Sequence, residues 1–251
     1  TRIELDSMGE MQVPLHALYG ATTQRAVMNF PISGRRLPVS LIRSFAMLKR
    51  ASAIANNRLG LLDDARSDLI ITSSEDVIEA LDDPQRCAGM MKHFPVDVFQ
   101  TGSGTSSNMN CNEIIANRAS EIMGGKIGNR EPIHPNNHVN LGQSSNDVIP
   151  TAIHIAANME IHNLLIPSLD KLALAIQKKS DEFSEIVKIG RTHLQDATPI
   201  TLGQEFSGYH QMIINGIQRI KYTQKHLSQL AQGGTAVGTG INTKSDFGRC
   251  M

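Results

Sequence analysis

Tryptophan is absent from this sequence, and all aromatic residues together make up only 4% of it. A core so poor in rings must be filled by Leu, Ile, Ala and Met, which suits packed helices better than a sandwich. Cysteine is scarce too. Cys87, Cys111 and Cys250 are odd in number, far apart and form no C-x-x-C pair. That argues against a disulfide frame, a zinc ribbon or an iron–sulfur cluster and for reduced thiols, with Cys111 a core side chain on an apolar helix. Neither sign of charge is in excess, since Lys+Arg and Asp+Glu both count 24. A nucleic-acid partner ordinarily leaves a basic surplus, so none is expected. No apolar run approaches the roughly 18 residues that span a bilayer, so no membrane partner is expected either. The start, Thr1-Arg2-Ile3-Glu4-Leu5-Asp6, has no apolar signal core, no basic leader and no initiator Met. These features together point to the cytoplasm.

What is present is helical periodicity. Ile3 and Leu5 precede a turn at Ser7-Met8-Gly9-Glu10, and Met11 and Val13 follow it, which predicts a small hairpin. Leu41, Ile42, Phe45, Leu48 and Ile54 predict a helix over 40–59, with Ser40 as N-cap and Gly60 as stop. Leu69, Ile70, Val77, Ile78 and Leu81 predict a second over 63–81. A third is expected over 108–123, ended by Gly124-Gly125. The character changes after about residue 139, giving domains 1–139 and 140–251. A long pattern runs from Pro150, placed in a first helical turn, to about Phe183, with a bend at Pro167. Another spans Leu202 to Gln232, with Phe206, Tyr209, Ile213, Ile217, Ile220, Leu227 and Leu230 as its apolar stripe. Helices this long suit an elongated bundle, shared between subunits.

Between the helices lie four segments rich in Gly, Ser, Thr and Asn: 100–110, 134–147, 190–199 and 233–240. Several open a helix, where free backbone N–H groups and the helix dipole favour an anion. Hydroxyl and amide side chains add neutral donors. Such a site holds a carboxylate without a metal. It also stabilises charge that builds up when a proton leaves the adjacent carbon. In this setting His193 is the group suited to moving protons near neutral pH. One such loop alone is ordinarily a cap or turn, and 233–240 read singly is a flexible connection. The glycines of 102–104 lack the downstream Gly-Lys-Ser/Thr of a phosphate loop, which excludes that reading. Pro135 between His134 and His138 argues against a helical metal pair. The four loops in this order point to a small dicarboxylic acid.

These loops, with Asp6-Ser7-Met8-Gly9, Tyr19-Gly20-Ala21-Thr22-Thr23-Gln24-Arg25 and Gly240-Ile241-Asn242-Thr243, resemble the fumarase/aspartase superfamily, in its class II fumarate hydratase branch. The resemblance covers essentially the whole chain. It implies a mainly α fold: a small N-terminal α domain with a short β-hairpin, then a bundle of long helices. It implies a cofactor-free lyase that interconverts fumarate and (S)-malate, working as a homotetramer with each active site built from three chains. Ser103, Thr105, Ser144, Ser145, Asn146 and Thr192 are then substrate-binding, and His193 acts on the water that adds to the double bond. His134, Asn136 and Asn137 match a second, outer dicarboxylate site, where the family commonly has Asp in place of Asn137. Aspartate ammonia-lyase is similar over the same loops. It typically has Gln in place of His193 and Ser-Thr in place of Ser144-Ser145, so both positions favour the hydratase. The family's base-carrying Gly-Ser-Ser loop, followed by Met-Pro, Lys and Asn, has no match here. The chain is therefore expected to be an N-terminal piece with its bundle cut short. Alone it should supply only part of the active site, so a non-catalytic fragment stands as the alternative.

Overall fold

The structure is a computed structural model describing residues 1–251. The expected hairpin is antiparallel, β1 (Arg2–Asp6) with β2 (Gly9–Val13). Then come α1 (Ala21–Asn29), α2 (Val39–Arg58), α3 (Asp64–Asp82), the single turn α4 (Cys87–Met90) and α5 (Thr105–Ile122). A short π segment, Pro135–Val139, leads to α6 (Ser145–Glu160), and a second, Ile161–Leu165, to α7 (Ile166–Glu182). An antiparallel pair, β3 (Val187–Thr192) and β4 (Gln195–Thr201), precedes α8 (Leu202–Leu227), and the turn α9 (Phe247–Cys250) follows.

Contacts divide the chain into two compact units, Thr1–Ala156 with Leu230–Met251, and Ala157–Gln229. The first owns the main core. Ile42, Phe45 and Leu48 of α2 pack with Ile70, Val77 and Leu81 of α3, Cys111, Ile114 and Ile115 of α5, and Val148 of α6. In the second, α7 lies on α8. Gly203 is what lets them meet, because a Cβ there would lie 2.4 Å from the Ser180 carbonyl oxygen and 2.8 Å from the Ser184 Cα. Phe183, Phe206 and Tyr209 stack edge-on around that junction.

Several boundaries differ from expectation. The N-cap of α2 is Pro38, with Ser40 inside the first turn. Gly60 does stop the helix, at φ +67°. Its N–H donates to the Asn57 carbonyl at 2.8 Å, and that of Leu61 to Asn56 at 2.9 Å, consuming two orphan acceptors. Helix α5 begins three residues before Asn108, after left-handed Gly104. Helix α6 begins five residues before Pro150, which therefore sits inside it. The irregularity expected at Pro167 falls just ahead of it, at Ile161–Leu165, since proline withholds an N–H from the preceding turn and crowds its carbonyl. Helix α8 ends at Leu227, so Leu230 lies outside it. Of the proposed stripe Ile217 is buried and Tyr209 is exposed. Segment 190–199, expected as a loop, is mostly β3 and β4.

Candidate functional site

Three of the four Gly/Ser/Thr/Asn segments meet in the first unit. Left-handed Gly104 turns the chain into α5, and its missing Cβ would strike the Ile149 side chain at 2.7 Å. Ser103 and Thr105 flank it, their hydroxyls 2.9 Å apart and exposed. Gln100 clamps the start of α5, accepting from the Ser107 N–H at 2.8 Å. The loop thus presents two hydroxyls at the positive end of an 18-residue helix.

Asn108, buried one turn into α5, joins this segment to the next. Its Nδ2 donates to Asn140 Oδ1 at 3.2 Å and to Ser145 Oγ at 3.1 Å. Asn140 Oδ1 also accepts from Lys49 Nζ at 2.9 Å, and Lys49 reaches Gln143 Oε1 at the same distance. Lys49 is fully buried, and burial lowers its pKa to about 8. Beside it, burial pushes the Cys111 thiol up to about 12.

Asp147 ties in the last segment. Its Oδ1 accepts from the Ser144 N–H at 2.9 Å, and its Oδ2 from the N–H groups of Gly233 (3.1 Å) and Thr235 (2.8 Å). Asn146 Nδ2 donates to the Ala236 carbonyl at 2.8 Å. Segment 233–240 is therefore bound to the first turn of α6 by three hydrogen bonds, and is no free connection. Ser144, Ser145 and Asn146 lie between it and the Asn108–Asn140 pair.

His134, Asn136 and Asn137 form a separate group. The His134 Nδ1 caps the π segment, accepting from the N–H groups of Asn136 (3.1 Å) and Asn137 (3.3 Å). His138 Nδ1 accepts from the His134 N–H at 2.9 Å, so both rings are engaged by backbone at Nδ1. Burial lowers the pKa of both, helped at His134 by Arg130 and at His138 by Arg66. His134, Asn136, Arg130, Thr22 and Glu113 are among the residues lining a cavity of about 230 Å³. Glu113 is buried and accepts from the N–H groups of Gly20, Thr22 and Thr23 and from the Thr23 hydroxyl, and burial raises its pKa. Gly20 is glycine because a Cβ would lie 2.6 Å from Glu4 Oε2.

Thr192 and His193 belong to the second unit. Thr192 ends β3, and His193 (φ +49°) and Leu194 (φ +61°) make a two-residue turn with both backbones left-handed. That turn type matches the twist of a hairpin. The His193 side chain is exposed at its tip.

Lys49, Asn108, Asn140 and Asp147 were not among the expected site residues. One sequence signal marks Lys49. It stands four residues after Phe45 and seven after Ile42, on the apolar face of α2, where an unpaired cation does not belong.

A family model described as lyase matches residues 9–251. Fumarate hydratase, mitochondrial, of Saccharomyces cerevisiae is 56% identical over 98% of this chain and 49% of its own length. The class II fumarate hydratase of Halobacterium salinarum is 55% identical over 98% of the chain and 50% of its own. Among solved structures, the class II fumarase of Schistosoma mansoni superposes with TM-score 0.91 at 41% identity, over 99% of this chain and 51% of that one. The chain thus spans about half the length of the curated relatives it matches. No helix is long and apolar enough to cross a membrane.

Proposed function

The chain belongs to the lyase family, and from that premise we propose that it supplies the dicarboxylate-holding part of a fumarate hydratase. The reaction is the reversible addition of water to fumarate, giving (S)-malate. One observation carries the reading. Segments 100–110, 134–147 and 233–240 are hydrogen-bonded together at the first turn of α6, where the hydroxyls of Ser144 and Ser145 accept and so keep their protons to donate, while the Asp147 carboxylate is consumed by backbone. Such a cluster of neutral donors favours an anionic substrate and the charge that develops on its carboxylate.

In this proposal Ser103, Thr105, Ser144, Ser145, Asn146 and Thr192 bind substrate, and His193 works on the reacting water. His134, Asn136 and Asn137 hold a second dicarboxylate, at the cavity that His134 and Asn136 line with Arg130. The helices of the second unit join those of other copies in a homotetramer.

The test uses the intact protein with fumarate and with aspartate as alternative substrates. Malate formation without ammonia release from aspartate is expected. Ser144→Ala and Thr105→Val should each weaken inhibition by a non-reacting dicarboxylate, since each removes a donor to a charged acceptor, worth about 1.5–3 kcal/mol. Ammonia from aspartate and no malate from fumarate would overturn the reading.

A further inference from the structure

Lys49 plays no part in the reading above, yet a wholly buried ammonium needs a reason. Its hydrogen-bond acceptors are two neutral amide oxygens, Asn140 Oδ1 and Gln143 Oε1. An ammonium only donates, so it dictates which end of each amide faces it. The Asn140 oxygen, once fixed toward Lys49, also faces Asn108, which must then present Nδ2. The same Nδ2 donates to Ser145 Oγ. A hydroxyl that accepts there keeps its own proton free to donate elsewhere. The order runs Lys49 to Asn140, and from Asn108 to both Asn140 and Ser145. Reversing it would set Asn108 Oδ1 against Ser145, which would then spend its proton inside the network. Asn108 Oδ1 is itself buried and without a partner, so a flip would relieve it at the cost of the outward donor. The one other brace on Asn140, Nδ2 to the Gln143 carbonyl, is long at 3.3 Å.

We propose that Lys49 is a positioning residue that sets the polarity of this hydrogen-bond network, so that Ser145 donates to a bound dicarboxylate. The proposal rests on the dicarboxylate reading of the site. Its pH dependence follows from the surroundings. The groups that face Lys49 are the Cys111 thiol from α5 and the Asp147 carboxylate from α6. Of the other elements on α2, α3 spends its charges on surface pairs such as Arg43–Asp82 and Arg50–Glu75. His138 of the π segment answers to Arg66, Glu131 and Asp63, and Arg249 of α9 pairs with Asp246. With a pKa lowered to about 8, Lys49 loses its proton within a range the protein can be assayed in. The neutral amine can accept as well as donate, and the polarity is then no longer imposed.

The experiment has two arms on the intact protein. In the first, inhibition of fumarate hydration by succinate is measured from pH 6 to 9.5 in the wild type and in Lys49→Met. The wild-type inhibition constant should rise above about pH 8. That of Lys49→Met should be raised at every pH, on the order of tenfold, with no inflection there and with kcat less affected than KM. In the second, side-chain amide resonances of Asn108 and Asn140 are followed by NMR in the wild type alone. They should shift with the same midpoint as Lys49 Nζ. An inhibition constant equal in both proteins across the range overturns the proposal, and so do amide signals that stay still while Lys49 titrates. If Lys49→Met does not fold, the second arm decides alone. If the wild type neither hydrates fumarate nor binds succinate but the amides follow Lys49, the dicarboxylate reading falls and the ordering role of Lys49 stands.

Discussion

Lys49 and Glu113 are ionisable side chains held away from water, and each makes a prediction about the fold. Burial lowers the Lys49 pKa to about 8 from the ordinary lysine value of 10.5, so the unfolded chain binds its proton more tightly than the folded one. Its burial therefore costs stability below pH 8, and that cost is recovered as pH rises from 8 to 10.5. The stability of the wild type minus that of Lys49→Met should accordingly grow over this window, by about 3 kcal/mol in total. Urea unfolding at pH 7, 8, 9 and 10 checks it, and a difference that shrinks with pH would contradict the sign. Glu113 is the acceptor for the start of α1, which has no side-chain cap of its own. Glu113→Ala strands the N–H groups of Gly20, Thr22 and Thr23 and the Thr23 hydroxyl, at about 1–3 kcal/mol for an unpaired buried group. A loss above about 3 kcal/mol in the same assay is expected, and a loss under 1 would mean water replaces the carboxylate.

At the scale of elements, α7 and α8 meet through the absent side chain of Gly203. Gly203→Ala would push a methyl into the Ser180 carbonyl and the Ser184 backbone, neither of which is a flexible tip that can swing aside. The second unit should loosen, with a loss of about 1–3 kcal/mol. Amide hydrogen exchange across 166–227 should rise while that of α2, α3 and α5 stays put. Uniform protection in the variant would show that the helices slide apart without cost. These helices were legible in the sequence because one face is buried, and burial imposes a period on Ile42, Phe45 and Leu48 or Ile70, Val77 and Leu81. Strands β3 and β4 were not legible. Most of their residues are exposed on both faces, so no alternation is selected, and Ser/Thr/Gly/His composition then looks like loop. The start of α2 was read two residues late, and α1 was not read from the sequence at all. Pro38 opens α2 and Glu113 opens α1, the latter more than 80 residues along the chain. The end of α8 at Leu227 carries Lys225 and His226 in its last turn, but no Gly directly follows to mark the stop. Of the candidate site, the donor residues could be picked by composition, whereas Lys49 and Asp147 act by what they touch, which only the fold supplies.

At the scale of the molecule, the second unit buries little of its own apolar surface. Leu174, Met212, Tyr222 and Val187 are each more than 60% exposed. Apolar surface of this kind ordinarily marks an interface. Residues 1–251 purified by themselves should associate, and light scattering on a size-exclusion column should report a mass well above 27.4 kDa. The same sample should give no detectable malate from fumarate, since the proposed substrate loops and His193 represent a span that is about half of each relative. A monodisperse monomer with steady turnover would refute both expectations.

The turn that carries His193 constrains any attempt to re-engineer this tip. Both of its central residues have positive φ, a conformation that suits Gly, Asn and Asp and penalises β-branched side chains. A saturation library at position 193 would therefore sort its members by hairpin integrity as much as by chemistry. Val or Ile there would fail for reasons of backbone, and their inactivity would say nothing about proton transfer. His193→Asn is the informative substitution, because it keeps the left-handed turn while removing the imidazole. If His193 acts on the reacting water, that variant should lose roughly 10²–10⁴ in kcat with a smaller change in KM. Any sequence drift tolerated at this position is filtered first by handedness and only then by acid–base strength.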